Sequence, residues 1–123
     1  MSNEGFIPVY KPCFNGNEKK YLIDCIESGW ISSKGKYVGL FEKEFSRFLG
    51  SGYSAAVANG TVALHLALEA LNISSGDEVI VPSFTYIASV NAIKYCGAKP
   101  VFVDSEIDSW NIDPTKVEDK ITS

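Results

Sequence analysis

Basic charge, histidine, paired cysteine and long apolar runs are all scarce in this sequence, and each scarcity removes a class of function. Eleven basic against fifteen acidic side chains leave the 123 residues with a net charge of −4. That is the wrong sign for a nucleic-acid binder, whose footprint is a basic field. Lys19-Lys20 and Lys34 with Lys36 are the nearest approach to basic clusters, and they are too small to alter it. The only histidine is His65, and Cys13, Cys25 and Cys96 are odd in number, far apart and without C-x-x-C spacing. Linear spacing therefore offers no zinc site, and no metal is expected. The same cysteine usage fits a reducing, cytoplasmic setting. No apolar run approaches the roughly 18 residues of a membrane helix. Ser2, Asn3 and Glu4 make the start too polar for a signal peptide. A soluble cytoplasmic protein is the expectation. Repeats and low-complexity segments are absent as well. The remaining composition, 46% hydrophobic and 21% charged, is that of one globular domain.

Phe6 to Phe14 holds Pro8 and Pro12 and reads as an extended arm. Asn15 followed by Glu18 has capping-box spacing, and Tyr21, Leu22, Cys25 and Ile26 continue it as a helical stripe that stops near Ser28-Gly29. After a loop from Trp30 to Lys36, the spacing of Val38, Phe41, Phe45, Phe48 and Leu49 predicts a second helix, with Gly50 just past its end. Glu42, Lys43 and Glu44 read as its solvated face. The texture then changes. Ser54–Ala58 reads as a short strand, and Val62–Leu71 as a helix apolar nearly all round, which predicts burial. Ser74-Ser75-Gly76-Asp77 makes a turn, Glu78–Val81 a strand ended by Pro82, Ile87–Tyr95 a helix, and Val101–Val103 a third strand. Asp113 and Pro114 suit the cap and first position of a last helix to about Ile121. Strand–helix–strand–helix–strand predicts an α/β layer with parallel strands and crossover helices. Residues 1–52 form the arm and two helices, and 53–123 begin the sheet. A further strand would be expected after the last helix, so Ser123 is an odd place for a complete domain to stop.

Two junctions carry chemistry. At Asn59-Gly60-Thr61 a glycine and a hydroxyl residue open a helix, and the free N–H groups of a helix start make an anion site. The plainer alternative is that Asn59 or Thr61 merely caps a buried helix. At Pro82-Ser83-Phe84-Thr85-Tyr86 a strand ends, where open α/β sheets place ligands, and Tyr86 is positioned to lay its ring on a flat cofactor. The alternative there makes Phe84 and Tyr86 core aromatics. Gly50-Ser51-Gly52 with Ala55 mimics a dinucleotide fingerprint but precedes a strand instead of following one. Asn59-Gly60-Thr61 and Asn72-Ile73-Ser74 match glycosylation sequons, which mean little without a secretory signal. His65 reads as a satisfied core residue, and Asp104 as a turn or cap residue as readily as a ligand contact.

These residues resemble a known family. Ile7-Pro8-Val9-Tyr10, Ser28-Gly29-Trp30-Ile31-Ser32-Ser33-Lys34-Gly35, Asn59 to Leu64, Gly76 to Pro82, Phe84 to Ile93 and Val101 to Asp104 are similar, in one register, to the opening of the DegT/DnrJ/EryC1/StrS sugar aminotransferases. Within the family, the wording is most similar to the branch that aminates GDP-4-keto-6-deoxymannose. The resemblance implies the N-terminal part of the large, cofactor-binding domain of an aspartate-aminotransferase-type fold, working with pyridoxal 5'-phosphate (PLP). It implies that Asn59, Gly60 and Thr61 hold the cofactor phosphate and that Tyr86 stacks on the pyridine. Tyr10, Trp30, Ser32 and Ser33 would line the nucleotide-sugar pocket, across the interface of a homodimer. The implied reaction moves the amino group of glutamate, through the cofactor, to C4 of a nucleotide-linked 4-keto-6-deoxysugar.

The resemblance also implies that the family's Schiff-base lysine and the acid facing the pyridine nitrogen lie downstream of Ser123. Lys34, Lys36, Lys94 and Lys99 do not match the lysine motif, so no catalytic residue is assigned and the chain alone is expected to be inactive. Some relatives carry histidine in place of that lysine and act as dehydratases. A non-catalytic module that binds a phosphorylated ligand or a full-length partner subunit is the reading from a different class. Treated with PLP and borohydride, the chain is expected to show no single, stoichiometric lysine adduct. Peptide mass mapping that finds one lysine fully modified would overturn this.

Overall fold

The computed structural model describes residues 5–122, so Ser2, Asn3, Glu4 and Ser123 lie outside the described residues. The chain divides into two compact units, Met1–Ala56 and Val57–Ser123.

In the first unit the proline-bearing arm is irregular and exposed. It leads to α1 (Glu18–Ser28), which Gly29 closes in the left-handed conformation at φ 72°. The cap differs from the capping box expected at Asn15. Asn17 occupies the N-cap without a side-chain bond, and the Glu18 carboxylate reaches back to accept from the Gly16 N–H at 2.9 Å. Glu18 is the first helical residue and not the third, so its side chain serves the amide before the helix. The second helix, α2 (Lys36–Leu49), ends as expected at Gly50. Asp24 joins the two helices by accepting from the Tyr37 hydroxyl at 2.9 Å and pairing with the Lys36 ammonium at 2.5 Å. The hydrogen bond from Lys36, followed by that from Tyr37, holds the Asp24 carboxyl below the ordinary carboxylate range. Glu42 is not a free solvated residue, because its carboxylate accepts from the Ala56 N–H at 2.8 Å.

The second unit contains α3 (Gly60–Ala70), β1 (Glu78–Pro82), α4 (Ile87–Tyr95) and β2 (Lys99–Val103). The two strands pair in parallel from Glu78↔Lys99 to Pro82↔Val103, as the crossover pattern predicts. Val81, Ile93 and Ala98 form the core, with Leu68, Ile73, Val79 and Val90 packed around it. Gly97, at φ 78°, turns the chain out of α4 so that the Ala98 N–H returns to the Ile93 carbonyl at 3.2 Å. A β-carbon in that backbone conformation would be strained.

Three expectations are corrected. Ser54–Ala58 is not a strand, for among the described residues no ladder partner lies beside it. Helix α3 is not buried: it packs against α4, but Val62, Leu64 and Leu66 remain 42%, 44% and 46% exposed. Apolar composition supplies the driving force for burial, but a second packed layer must be there to use it. The expected last helix is a pair of 3₁₀ turns, Pro114–Lys116 and Glu118–Lys120. Asp113 does cap the first, accepting from the Thr115 N–H at 3.0 Å and the Thr115 hydroxyl at 2.6 Å.

Glu78 and Lys99 face each other across the strand pair, with Nζ 2.6 Å from Oε1, and the Thr122 hydroxyl donates to Oε2 at 3.0 Å. Lys99, then Thr122, keeps the Glu78 carboxyl below its usual range. A depressed carboxylate pKa adds stability that is complete above the ordinary glutamate value of about 4.3 and is lost as pH falls through the lower folded value. Urea unfolding midpoints measured across acid pH should therefore fall more steeply for the native chain than for Glu78→Gln. Ile93→Ala should cost the second unit about 2–5 kcal/mol, read as a lowered urea midpoint, because the residue is only 3% exposed.

Candidate functional site

The start of α3 is built by its cap. Asn59 is extended, and its side-chain oxygen accepts from the Val62 N–H at 3.0 Å. Its carbonyl accepts from the Ala63 N–H at 3.1 Å. The Gly60 and Thr61 N–H groups, at the first two helical positions, have no recorded partner among the described residues. No helix can satisfy those two amides from within itself. They form the positive end of an eleven-residue helix. A β-carbon placed on Gly60 would meet nothing within 4 Å, so the approach to the two amides is open. The capping role and the anion site are thus compatible, because Asn59 serves the third amide and leaves two free.

The loop after β1 is pinned at one end. The Ser83 N–H donates to the Val103 carbonyl at 2.8 Å, and its hydroxyl donates to the Asp104 carboxylate at 3.2 Å. Asp104 thus anchors this loop. Tyr86 forms the N-cap of α4 in extended conformation without a side-chain bond. Neither aromatic is a core residue: Phe84 lies against Trp110, with ring centroids 5.2 Å apart, and Tyr86 is 80% exposed. Tyr86 instead lines an open groove of about 750 Å³ together with Asn59, Gly60, Thr61, Ala88 and Ser89. The four residues that the resemblance assigns to the cofactor, Asn59, Gly60, Thr61 and Tyr86, therefore line one surface. Ser89, whose hydroxyl lies 3.2 Å from that of Thr85, joins them without having been singled out. It sits three residues beyond Tyr86, within one turn on α4.

Tyr10, Trp30, Ser32 and Ser33 belong to the first unit. Tyr10 lies on the exposed arm, and Trp30 and Ser33 are exposed in the segment between α1 and α2. Ser32 makes a turn there, its hydroxyl accepting from the Lys34 N–H at 3.3 Å and its carbonyl from the Gly35 N–H at 3.0 Å. A β-carbon on Gly35 would lie 3.3 Å from the Ser32 and Trp30 carbonyl oxygens.

A second cluster escaped linear spacing. His65 is half-buried, 3.3 Å from the Glu69 carboxylate through Nε2, with its ring edge-on to Tyr95 at 5.6 Å between centroids. It is satisfied by these neighbours without being a core residue. Cys96, buried at the end of α4, brings its sulfur to the same place. Burial pushes the Cys96 thiol pKa up, with the charge of Glu69 acting in the same direction. Among the described residues no helix is long and apolar enough to cross a membrane.

The chain is 57% identical over 118 residues to the GDP-perosamine synthase of Escherichia coli O157:H7, covering 96% of this chain and 32% of that protein. Among solved structures it is similar to an aminotransferase from Psychrobacter cryohalolentis, at TM-score 0.81 and 38% identity over 90% of this chain and 28% of that one. It is similar also to the E. coli GDP-4-keto-6-deoxy-D-mannose-3-dehydratase with bound hydrated PLP, at TM-score 0.81 and 27% identity, covering 94% and 31%. The chain spans about a third of the length of the relatives it matches. The model of the DegT/DnrJ/EryC1/StrS aminotransferase family matches residues 12–123, and the chain belongs to that family.

Proposed function

We propose that this chain supplies the phosphate- and ring-binding part of the PLP site of a sugar aminotransferase resembling GDP-perosamine synthase. The amino donor is glutamate, and the acceptor is the C4 ketone of a nucleotide-linked 4-keto-6-deoxysugar, GDP-4-keto-6-deoxymannose. The observation that carries the reading is the groove that joins two open helix-start amides to an exposed tyrosine ring. Among the solved structures the identity to the Psychrobacter cryohalolentis aminotransferase exceeds that to the dehydratase, 38% against 27%, which favours amination over dehydration.

The residues present fit the cofactor. The Gly60 and Thr61 amides and the Thr61 hydroxyl bind the phosphate dianion, aided by the positive end of α3. The bare Gly60 leaves room for phosphate oxygens beside the backbone. Asn59 holds the helix start in register, and the exposed Tyr86 ring would stack on the pyridine. When bound, the cofactor supplies the electron sink that transamination requires. Tyr10, Trp30, Ser32 and Ser33 are assigned to the nucleotide sugar, in a homodimer. No lysine of the chain matches the family's cofactor-lysine motif, so on its own the chain binds without turning over.

Titration of the chain with PLP, followed by amide chemical shifts, should move the Gly60 and Thr61 signals first. Thr61→Ala should weaken binding roughly 10- to 150-fold, the loss of one hydrogen bond to a charged group. Tyr86→Ala should weaken it about 2- to 12-fold through lost stacking. Unchanged affinity in both variants sinks the site. If inorganic phosphate binds as tightly as PLP and Tyr86→Ala has no effect, the chain is a phosphate-binding module instead.

A further inference from the structure

We propose that His65, Glu69 and Cys96 bind a zinc ion. His65 and Glu69 stand four residues apart on α3, so both side chains leave one face of the helix. Their Nε2 and Oε1 atoms are 3.3 Å apart. Cys96, which closes α4, brings Sγ so that all three donor atoms lie within 4.8 Å of one another. A tetrahedral zinc ion with bonds of about 2.0–2.3 Å holds its ligand atoms roughly 3.3–3.7 Å apart. The histidine–glutamate spacing already meets that requirement. The sulfur needs at most about 1.5 Å of closure toward the other two donors; Glu69, the exposed member of the set, is the side chain with room to move.

The donor set selects the ion. Thiolate and imidazole are the ligands of zinc-class metals, whereas magnesium and calcium take oxygen. Three protein ligands leave the fourth position to water. The two sides of the site have different exposure, for Cys96 is buried while Glu69 is exposed, so the ion enters past the carboxylate. On binding, the sulfur–metal bond replaces the S–H bond and that proton goes to solvent. The imidazole presents the Nε2 lone pair, with its proton on Nδ1, and no group is oxidised or reduced. The edge-on Tyr95 ring restricts the imidazole. None of the three ligands lines the groove of Asn59 and Tyr86, so this inference stands apart from the proposed cofactor site.

The test uses the full chain carrying Cys13→Ser and Cys25→Ser, which leaves Cys96 as its one thiol. Cobalt(II) replaces zinc as the spectroscopic probe. The expected result is one bound ion per chain, with a sulfur-to-metal charge-transfer band and intense visible bands of tetrahedral cobalt, all displaced by zinc. Cys96→Ser should abolish the charge-transfer band. His65→Gln and Glu69→Gln should each weaken zinc binding by more than the roughly 10- to 100-fold typical of losing an outer-shell partner. The weak spectrum of six-coordinate cobalt, or a charge-transfer band that survives Cys96→Ser, overturns the proposal. Should Cys96→Ser fail to fold, the other two variants decide, and native-like zinc affinity in both overturns it equally.

Discussion

The parallel pairing of β1 with β2 is the constraint on which the second unit depends. Parallel strands cannot be joined by a tight turn, so the chain must cross over, and α4 is that crossover. Ile93 of α4 then packs against Val81 of β1 and Ala98, just before β2, and excludes water from the junction. The same pairing sets the carboxyl ends of both strands side by side. Ser83 is held there twice, by the Val103 carbonyl and the Asp104 carboxylate. The loop is therefore fixed where it leaves the sheet, while Tyr86, three residues on, keeps its ring free.

Helix α3 carries two different arrangements of polar groups along its length. Its first turn combines unsatisfied amides with a side-chain cap that serves only the third of them. A chain of net charge −4 thus presents a local positive end, because helix geometry concentrates partial charge independently of the side-chain total. One turn further, His65 points its imidazole toward Glu69 and the end of α4. The helix is long enough to keep these two arrangements on separate turns. Leu68 reaches the core, while Val62, Leu64 and Leu66 stay substantially exposed.

In the first unit a single carboxylate has a comparable role. Asp24 accepts from both Lys36 and Tyr37, so the beginning of α2 is tied to the middle of α1. The hydrogen bonds stabilise the charged form, which is the reason the carboxyl is held below its usual range. The Tyr21 and Tyr37 rings, 4.9 Å apart between centroids, pack beside this link.

Local rules made much of this readable in advance. Gly29 and Gly50 end their helices because only a residue without a β-carbon enters the left-handed region cheaply. Pro82 and Gly97 bracket the crossover, and Asn59 caps α3 through its own side chain. The family was legible in motif wording over nearly the whole chain. Longer-range facts were not legible. Ser54–Ala58 has strand composition, yet a strand exists only where a neighbour completes its ladder. Helix α3 has core composition, yet burial requires a packing partner. Cys96 lies 31 positions from His65, and only the packing of α3 on α4 brings sulfur and imidazole together. By itself the sequence determined the helices α1 to α4, the strands β1 and β2 and the glycine stops after α1 and α2, because these follow from short-range sterics and hydrogen bonding. Tertiary structure alone decided what is buried and which distant side chains share a site, because both depend on contacts between elements.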